Sequence, residues 1–232
     1  MLTIVLLPGM DGTGILFEPF KEALGPEFRI QVVSYPTDGA RGYAELEQHA
    51  RDQLPRSGQF VVLGESFSGP IAVSIAASRP QGLVGLVLCS SFVRNPQPCL
   101  GSLRHFMGVL PIKLAPVSVF GIFLLGRFST PALRRALVLA MSKVSPQALR
   151  SRLRAVLSVD ASAKLKAVTV PLLYLQAAHD RVVPAEALKH IQSIFPAVQV
   201  PSINAPHFLL QAASVEAARV VTAFMRSLQK AL

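Results

Sequence analysis

Ser66 lies in Gly64-Glu65-Ser66-Phe67-Ser68-Gly69, between the apolar run Phe60-Val61-Val62-Leu63 and an Ala/Ile-rich helical stretch. A strand that turns sharply into a helix lifts the apex side chain above the sheet and points the first helical N–H groups at whatever that side chain attacks. Small residues two places before and after the apex let the two backbones approach. Gly64 and Ser68 fill these places, with Ser68 where glycine is usual and Gly69 behind it. The chemistry so prepared is attack by a hydroxyl; the plain alternative is a tight turn whose serine caps the helix.

A serine nucleophile requires a base, a group that orients the base, and donors for an oxyanion. Pro206-His207-Phe208 falls between a strand-like segment and the final helical pattern, which puts an imidazole on a loop at the carboxyl edge of the sheet. A helix N-terminus disfavours imidazolium and so keeps His207 a neutral base. Asp180, in Ala178-His179-Asp180-Arg181-Val182-Val183-Pro184, directly follows an apolar run. It is the expected orienting acid, although an N-cap or turn role suits an aspartate there too. The other place for the acid, after the run 83–89, holds Cys89-Ser90-Ser91 and offers no carboxylate. His179 competes with His207 by proximity to Asp180 only.

The turn Pro8-Gly9-Met10-Asp11-Gly12-Thr13-Gly14 brings backbone N–H groups to the same edge, so the Met10 and Phe67 N–H groups are the expected oxyanion hole. A dinucleotide-binding loop is the rival reading of this turn. Its glycines run G-x-x-G-x-G, and the run 29–34 ends in Ser34-Tyr35-Pro36 without a ribose-binding acid.

The elements that must position these groups alternate along the chain. Apolar runs recur at 2–7, 29–34, 60–64, 83–89, 170–177 and 197–201, with helical patterns near 15–24, 43–54, 67–79, 184–194 and 208–230. Val/Ile/Leu-rich strands without polar alternation imply helices on both faces of a parallel sheet. The expected fold is therefore α/β, an open doubly wound, mainly parallel sheet of about six strands in one domain over 1–232. Residues 92–160 interrupt the rhythm with helix-like patterns such as Pro131 to Ala140. Inserted after the fourth strand, they would lie over the crevice as a helical lid.

Of the 232 residues 51% are apolar and 16% charged, enough to bury a sizeable core. The net charge of +10 is local: twelve basic residues against Asp160 alone give +11 between Phe92 and Lys166, leaving −1 elsewhere. Such a block suits an acidic carrier protein or an anionic lipid surface, or is a solvated basic face with no partner; nucleic acid is not expected. Within it, Phe106 to Leu125 is apolar but broken by Pro111, Lys113 and Pro116, which argues against a membrane span and leaves shallow interfacial insertion open. Met1 to Leu7 reads as a buried strand, since it lacks the basic leader and length of a secretory signal. Cys89 and Cys99 form no framework and are expected as buried or inert thiols in a reducing cytoplasm. The five histidines show no metal-ligand spacing, so neither metal nor cofactor is indicated.

Serine, acid and histidine in that chain order, with Leu7-Pro8-Gly9-Met10, the hexapeptide around Ser66, His179 to Pro184 and Ala205-Pro206-His207-Phe208, resemble the α/β-hydrolase superfamily over the whole chain. The likeness is to short serine esterases, similar to carboxylesterases and to the methyl esterases of pimeloyl-carrier protein. It implies a reduced α/β-hydrolase fold beginning at the family's third strand, and hydrolysis of a carboxylic ester or thioester through an acyl-enzyme. Ser66 would attack, His207 would move the proton, and Asp180 would fix the imidazole. Acyl transfer to an alcohol would use the same residues, and a non-catalytic module binding anionic membranes is the remote alternative. Pro8 stands where many members have histidine, and Ser68 where they have the second elbow glycine.

Overall fold

The computed structural model describes residues 1–99, 121 and 123–230. Six strands, β1 (Thr3–Leu7), β2 (Arg29–Val32), β3 (Phe60–Glu65), β4 (Leu83–Cys89), β5 (Leu172–His179) and β6 (Ser202–Pro206), form one parallel sheet in the order β2-β1-β3-β4-β5-β6. Strand order reverses between β1 and β3, where a crevice opens at the carboxyl ends of the strands. The turn after β1 and the Ser66 elbow after β3 flank it, because Leu7 pairs with Gly64 at the last rung.

The unbroken apolar strand sequences follow from burial on both faces. Ile4, Leu6, Val61, Leu63, Val87, Leu173 and Leu175 point to one core, packed by α1 (Glu18–Leu24) and the C-terminal helix α9 (Ser214–Lys230). Val5, Leu7, Phe60, Val62, Leu86, Leu88 and Tyr174 point to the other. There they meet α2 (Tyr43–Arg51), α3 (Gly69–Ala77), α6 (Ser162–Lys166) and α7 (Ala185–Ile194). The strand period of two thus sorts neighbouring apolar residues into two cores.

Two further helices, α4 (Pro131–Ser142) and α5 (Pro146–Val156), are inserted between β4 and β5. Each begins with a proline at its first position and a hydroxyl cap: Thr130 Oγ1 accepts from the Leu133 N–H at 3.2 Å, and Ser145 Oγ from the Ala148 N–H at 3.1 Å. Leu137 and Ala140 of α4 bury against Leu16 and Phe208, while Ala148 and Leu149 of α5 pack with Met10. The pair therefore sits above the crevice. Most of the Phe106 to Leu125 stretch, with Arg104 and Lys113, lies outside the described residues.

Two expectations need correction. The sixth strand lies at Ser202–Pro206 and not at 197–201, because Pro201 has no N–H and the ladder resumes behind it. As an edge strand, β6 alternates buried Ile203 and Ala205 with exposed Ser202 and Asn204, a weaker signal than an apolar run. The last helical pattern is two helices, α8 (Leu209–Ala212) and α9, separated by Ala213 at φ −131°. Cys89 is a buried free thiol as expected, whereas Cys99 is free and exposed.

Candidate active site

Ser66 has φ +47°, a left-handed conformation that costs a side-chain-bearing residue about 1–2 kcal/mol. Its surroundings impose this shape. A Cβ on Gly64 would stand 2.7 Å from Ala72 Cβ and 2.8 Å from the Ser68 carbonyl oxygen, so only glycine lets strand and helix cross here. A Cβ on Gly69 would fall 1.9 Å from Ser91 Oγ and 2.7 Å from the Phe92 carbonyl. Ser68 is accommodated because its hydroxyl, fully buried, donates to the Pro8 carbonyl and accepts from Tyr35 OH at 2.7 Å. The close approach that demands a second glycine has moved one residue along, to Gly69.

The three side chains singled out in sequence meet at this apex. Ser66 Oγ lies 2.8 Å from His207 Nε2, and His207 Nδ1 lies 2.9 and 3.0 Å from the two oxygens of Asp180. Asp180 Oδ1 also accepts from the Val182 and Val183 N–H groups, at 2.8 and 2.9 Å, which orients the carboxylate from behind. With Nδ1 facing a carboxylate, the proton sits on Nδ1 and Nε2 is left to accept from the serine. His207 is 4% exposed, so this chain of bonds is shielded from competing water. His179 turns outward instead, to Arg127 at 2.8 Å and Asn204 at 3.0 Å.

Ser66 and His207 open on a small cavity of about 60 Å³, lined also by Met10, Leu16, Leu124, Leu137, Met141 and Phe208. Apolar walls and a hydroxyl at the floor suit a short acyl chain next to a nucleophile. Met10 lies in the turn after β1, and Phe67 is the second residue of the turn that opens α3, where N–H groups have no intrahelical acceptor. Glu65 and Asp11, both buried, line the same cavity. Burial above all pushes the Glu65 carboxyl up to about 7, against the hydrogen bond from Gln211 and with help from the nearby Asp11 charge. Among the described residues, no group of three or more His, Cys, Asp or Glu side chains is placed to hold a metal ion.

Residues 37–208 match the model of the serine aminopeptidase S33 family of α/β-hydrolases, a span that contains Ser66, Asp180 and His207. The chain belongs to that family. It is 26% identical over 222 residues to a pimeloyl-[acyl-carrier protein] methyl ester esterase of Vibrio campbellii, covering 84% of this chain and 83% of the relative. The fold matches the enol-lactonase of Burkholderia xenovorans LB400 with a TM-score of 0.83 at 16% identity, over 97% of this chain and 91% of that one. A thermophilic esterase of Thermogutta terrifontis gives 0.82 at 18% identity, over 98% and 90%.

Several residues that shape this hydrolase's site carry no motif. The Ser91 hydroxyl donates to the Ser66 carbonyl, and Tyr43 OH donates to the Phe67 carbonyl at 3.0 Å while its ring stacks on Phe67 at 4.7 Å. Arg152, counted in sequence as one charge of a basic block, is 1% exposed and reaches the turn after β1. Its position offered one clue: it lies three and four residues after Leu149 and Ala148, on the flank of the buried stripe of α5.

Proposed function

We propose that this ester hydrolase works through an acyl-enzyme on Ser66, with His207 as general base and acid and Asp180 as its orienting group. The supporting observation is the hydrogen-bonded chain from Ser66 Oγ through His207 to Asp180 at an elbow with positive φ. His207 Nε2 removes the hydroxyl proton as Ser66 Oγ bonds to the ester carbonyl carbon. The carbonyl oxygen becomes an oxyanion held by the Met10 and Phe67 N–H groups. Collapse breaks the bond to the leaving oxygen, which takes the proton from His207. Water repeats the cycle and releases the acid.

The apolar cavity favours esters of small or medium acyl groups, with the insertion 92–160 serving as a lid over it. Ser66→Ala tests the reading. Turnover of a p-nitrophenyl ester should fall by several orders of magnitude with an unchanged circular dichroism spectrum; turnover at the wild-type rate would refute it.

A second reading places the acyl group on an acidic carrier protein, as the name of the Vibrio relative states for that enzyme. The outer side of α4 supports it: Arg134, Arg135, Val138 and Leu139 are all exposed there around a shallow depression, on an inserted helix whose other side lines the cavity. Hydrolysis of the carrier ester should weaken with salt while that of a neutral p-nitrophenyl ester does not. Equal salt dependence would remove the carrier from consideration. Product analysis with added alcohol separates hydrolysis from acyl transfer. No helix among the described residues is long and apolar enough to cross a membrane, and a cytoplasmic location fits the two free cysteines.

A further inference from the structure

The Met10 N–H acts as an oxyanion donor only if its direction is fixed, and the turn that carries it is held at every carbonyl. The Pro8 carbonyl accepts from the Ser68 hydroxyl. The Gly9 carbonyl accepts from the Gly12 N–H at 3.1 Å, and the Gly12 carbonyl from the Tyr35 N–H at 2.7 Å. Between them, the Met10 and Asp11 carbonyls both accept from Arg152 Nη1 at 2.8 Å. Arg152 Nη2 donates to the Pro36 carbonyl, also at 2.8 Å, and the guanidinium lies 5.8 Å from the centre of the Tyr35 ring.

Peptide geometry converts these contacts into a direction. No peptide bond among the described residues is cis, so the Gly9–Met10 unit is planar and trans, and its N–H points opposite to its C=O. With the Gly9 carbonyl turned into the turn toward Gly12, the Met10 N–H is turned out of it. Of the next two peptide planes, Met10–Asp11 is held at its carbonyl by Arg152, and Asp11–Gly12 is held at its carbonyl by Arg152 and at the Gly12 N–H by the Gly9 carbonyl. Gly12 leaves room for the guanidinium: a Cβ there would lie 2.5 Å from Arg152 Nη1. Three of these five carbonyls are held by the sheet core and the elbow, or by the turn itself; the two in the middle, those of Met10 and Asp11, depend on a residue of the insertion.

We propose that Arg152 is a positioning residue for the oxyanion hole, so that the docking of α5 onto the turn after β1 sets the direction of the Met10 N–H. The proposal rests on the acyl-enzyme reading above. Burying a guanidinium without a carboxylate on it is costly, and three carbonyl acceptors together with the nearby Asp11 charge offset that cost. Arginine suits the task because one planar fork spans several acceptors, which a lysine ammonium covers only in part.

The test uses Arg152→Lys and Arg152→Met in the full-length protein, with Ser66→Ala alongside. Competent sites are counted with a fluorophosphonate, and kcat and KM for a p-nitrophenyl ester are expressed per counted site. Binding of phenylboronic acid, whose tetrahedral serine adduct places an oxygen in the oxyanion hole, is measured in parallel. In Arg152→Met, kcat per site should fall about 10- to 100-fold with boronate affinity falling in step and KM nearly unchanged, and Arg152→Lys should recover part of both. A purely structural arginine would lower melting temperature and site count while leaving kcat per site and boronate affinity at wild-type values, and that result overturns the proposal. Should Arg152→Met not fold, wild-type kcat and boronate affinity in Arg152→Lys overturn it equally. Wild-type turnover in Ser66→Ala would instead mean that the acyl-enzyme reading had failed.

Discussion

Gln211 Nε2 donates to Glu65 Oε1 at 2.9 Å, tying the helix that follows His207 to the residue that precedes Ser66. Both side chains are buried, and the Gln211 amide oxygen has no hydrogen-bond partner among the described residues. The bond therefore clamps the base side and the nucleophile side of the site together over a span of 146 residues.

This clamp should be sensitive to pH. Burial raises the Glu65 carboxyl from the ordinary 4.5 to about 7, so the folded chain keeps a proton that the unfolded chain has already released. The contribution of the protonated form is full below about 4.5, declines as pH rises toward 7, and is flat above; its upper limit is about 3 kcal/mol. Glu65→Gln, which keeps the acceptor for Gln211, should flatten the fall in melting temperature between pH 5 and 7. Parallel curves for the two proteins would contradict this.

Asp180→Asn should preserve the fold and lose most of the activity. The Asn oxygen can keep the Val182 and Val183 N–H bonds, which leaves the amide NH2 facing His207 Nδ1. Nδ1 must then accept, the proton moves to Nε2, and the imidazole can no longer take the Ser66 proton. A decrease in kcat of about 10³- to 10⁴-fold is expected at near-wild-type melting temperature. A loss below tenfold would show that the tautomer does not matter.

The two small residues after the nucleophile should differ in stability cost. Ser68→Gly leaves the buried Tyr35 hydroxyl without its acceptor, a loss of about 1–3 kcal/mol. Gly69→Ala drives a methyl into Ser91, the residue that holds the Ser66 carbonyl, and should cost at least as much while also lowering kcat. Urea midpoints in the reverse order would contradict the account of why serine is tolerated at 68.

Charge reversal on the outer face of α4 separates the two substrate readings. Arg134→Glu with Arg135→Glu should lower kcat/KM for a carrier-bound ester by about tenfold or more at low salt and leave a p-nitrophenyl ester unaffected, since both side chains point away from the cavity. Equal loss on both substrates would place the effect inside the site.

Legibility in the sequence followed the range of the forces involved. Apolar runs and helical periods are local, and they marked five of the six strands within a few residues. The sixth was misplaced because an edge strand alternates and Pro201 breaks its run. The basic block was legible as a sum of charges but not as a surface. Lys164 pairs with Glu47 at 3.0 Å, Arg127 bonds His179, and Arg152 is interior. Cys89 and Cys99 look alike in sequence, and only packing made one buried and the other exposed.

The sequence alone determined which residues could react and in what order they arise. A serine between Gly64 and a helix, an aspartate after one strand and a histidine after the next are signals carried within a few residues of each group. Tertiary structure decided how those groups are held. Ser91 on the Ser66 carbonyl, Gln211 on Glu65, and Arg152 on Met10 and Asp11 join residues 25 to 146 positions apart. The physical reason is that a polar side chain's role is set by which unpaired carbonyl or carboxylate it meets on burial. Arg152 differs from Arg150 and Arg154 only in the helix face it occupies.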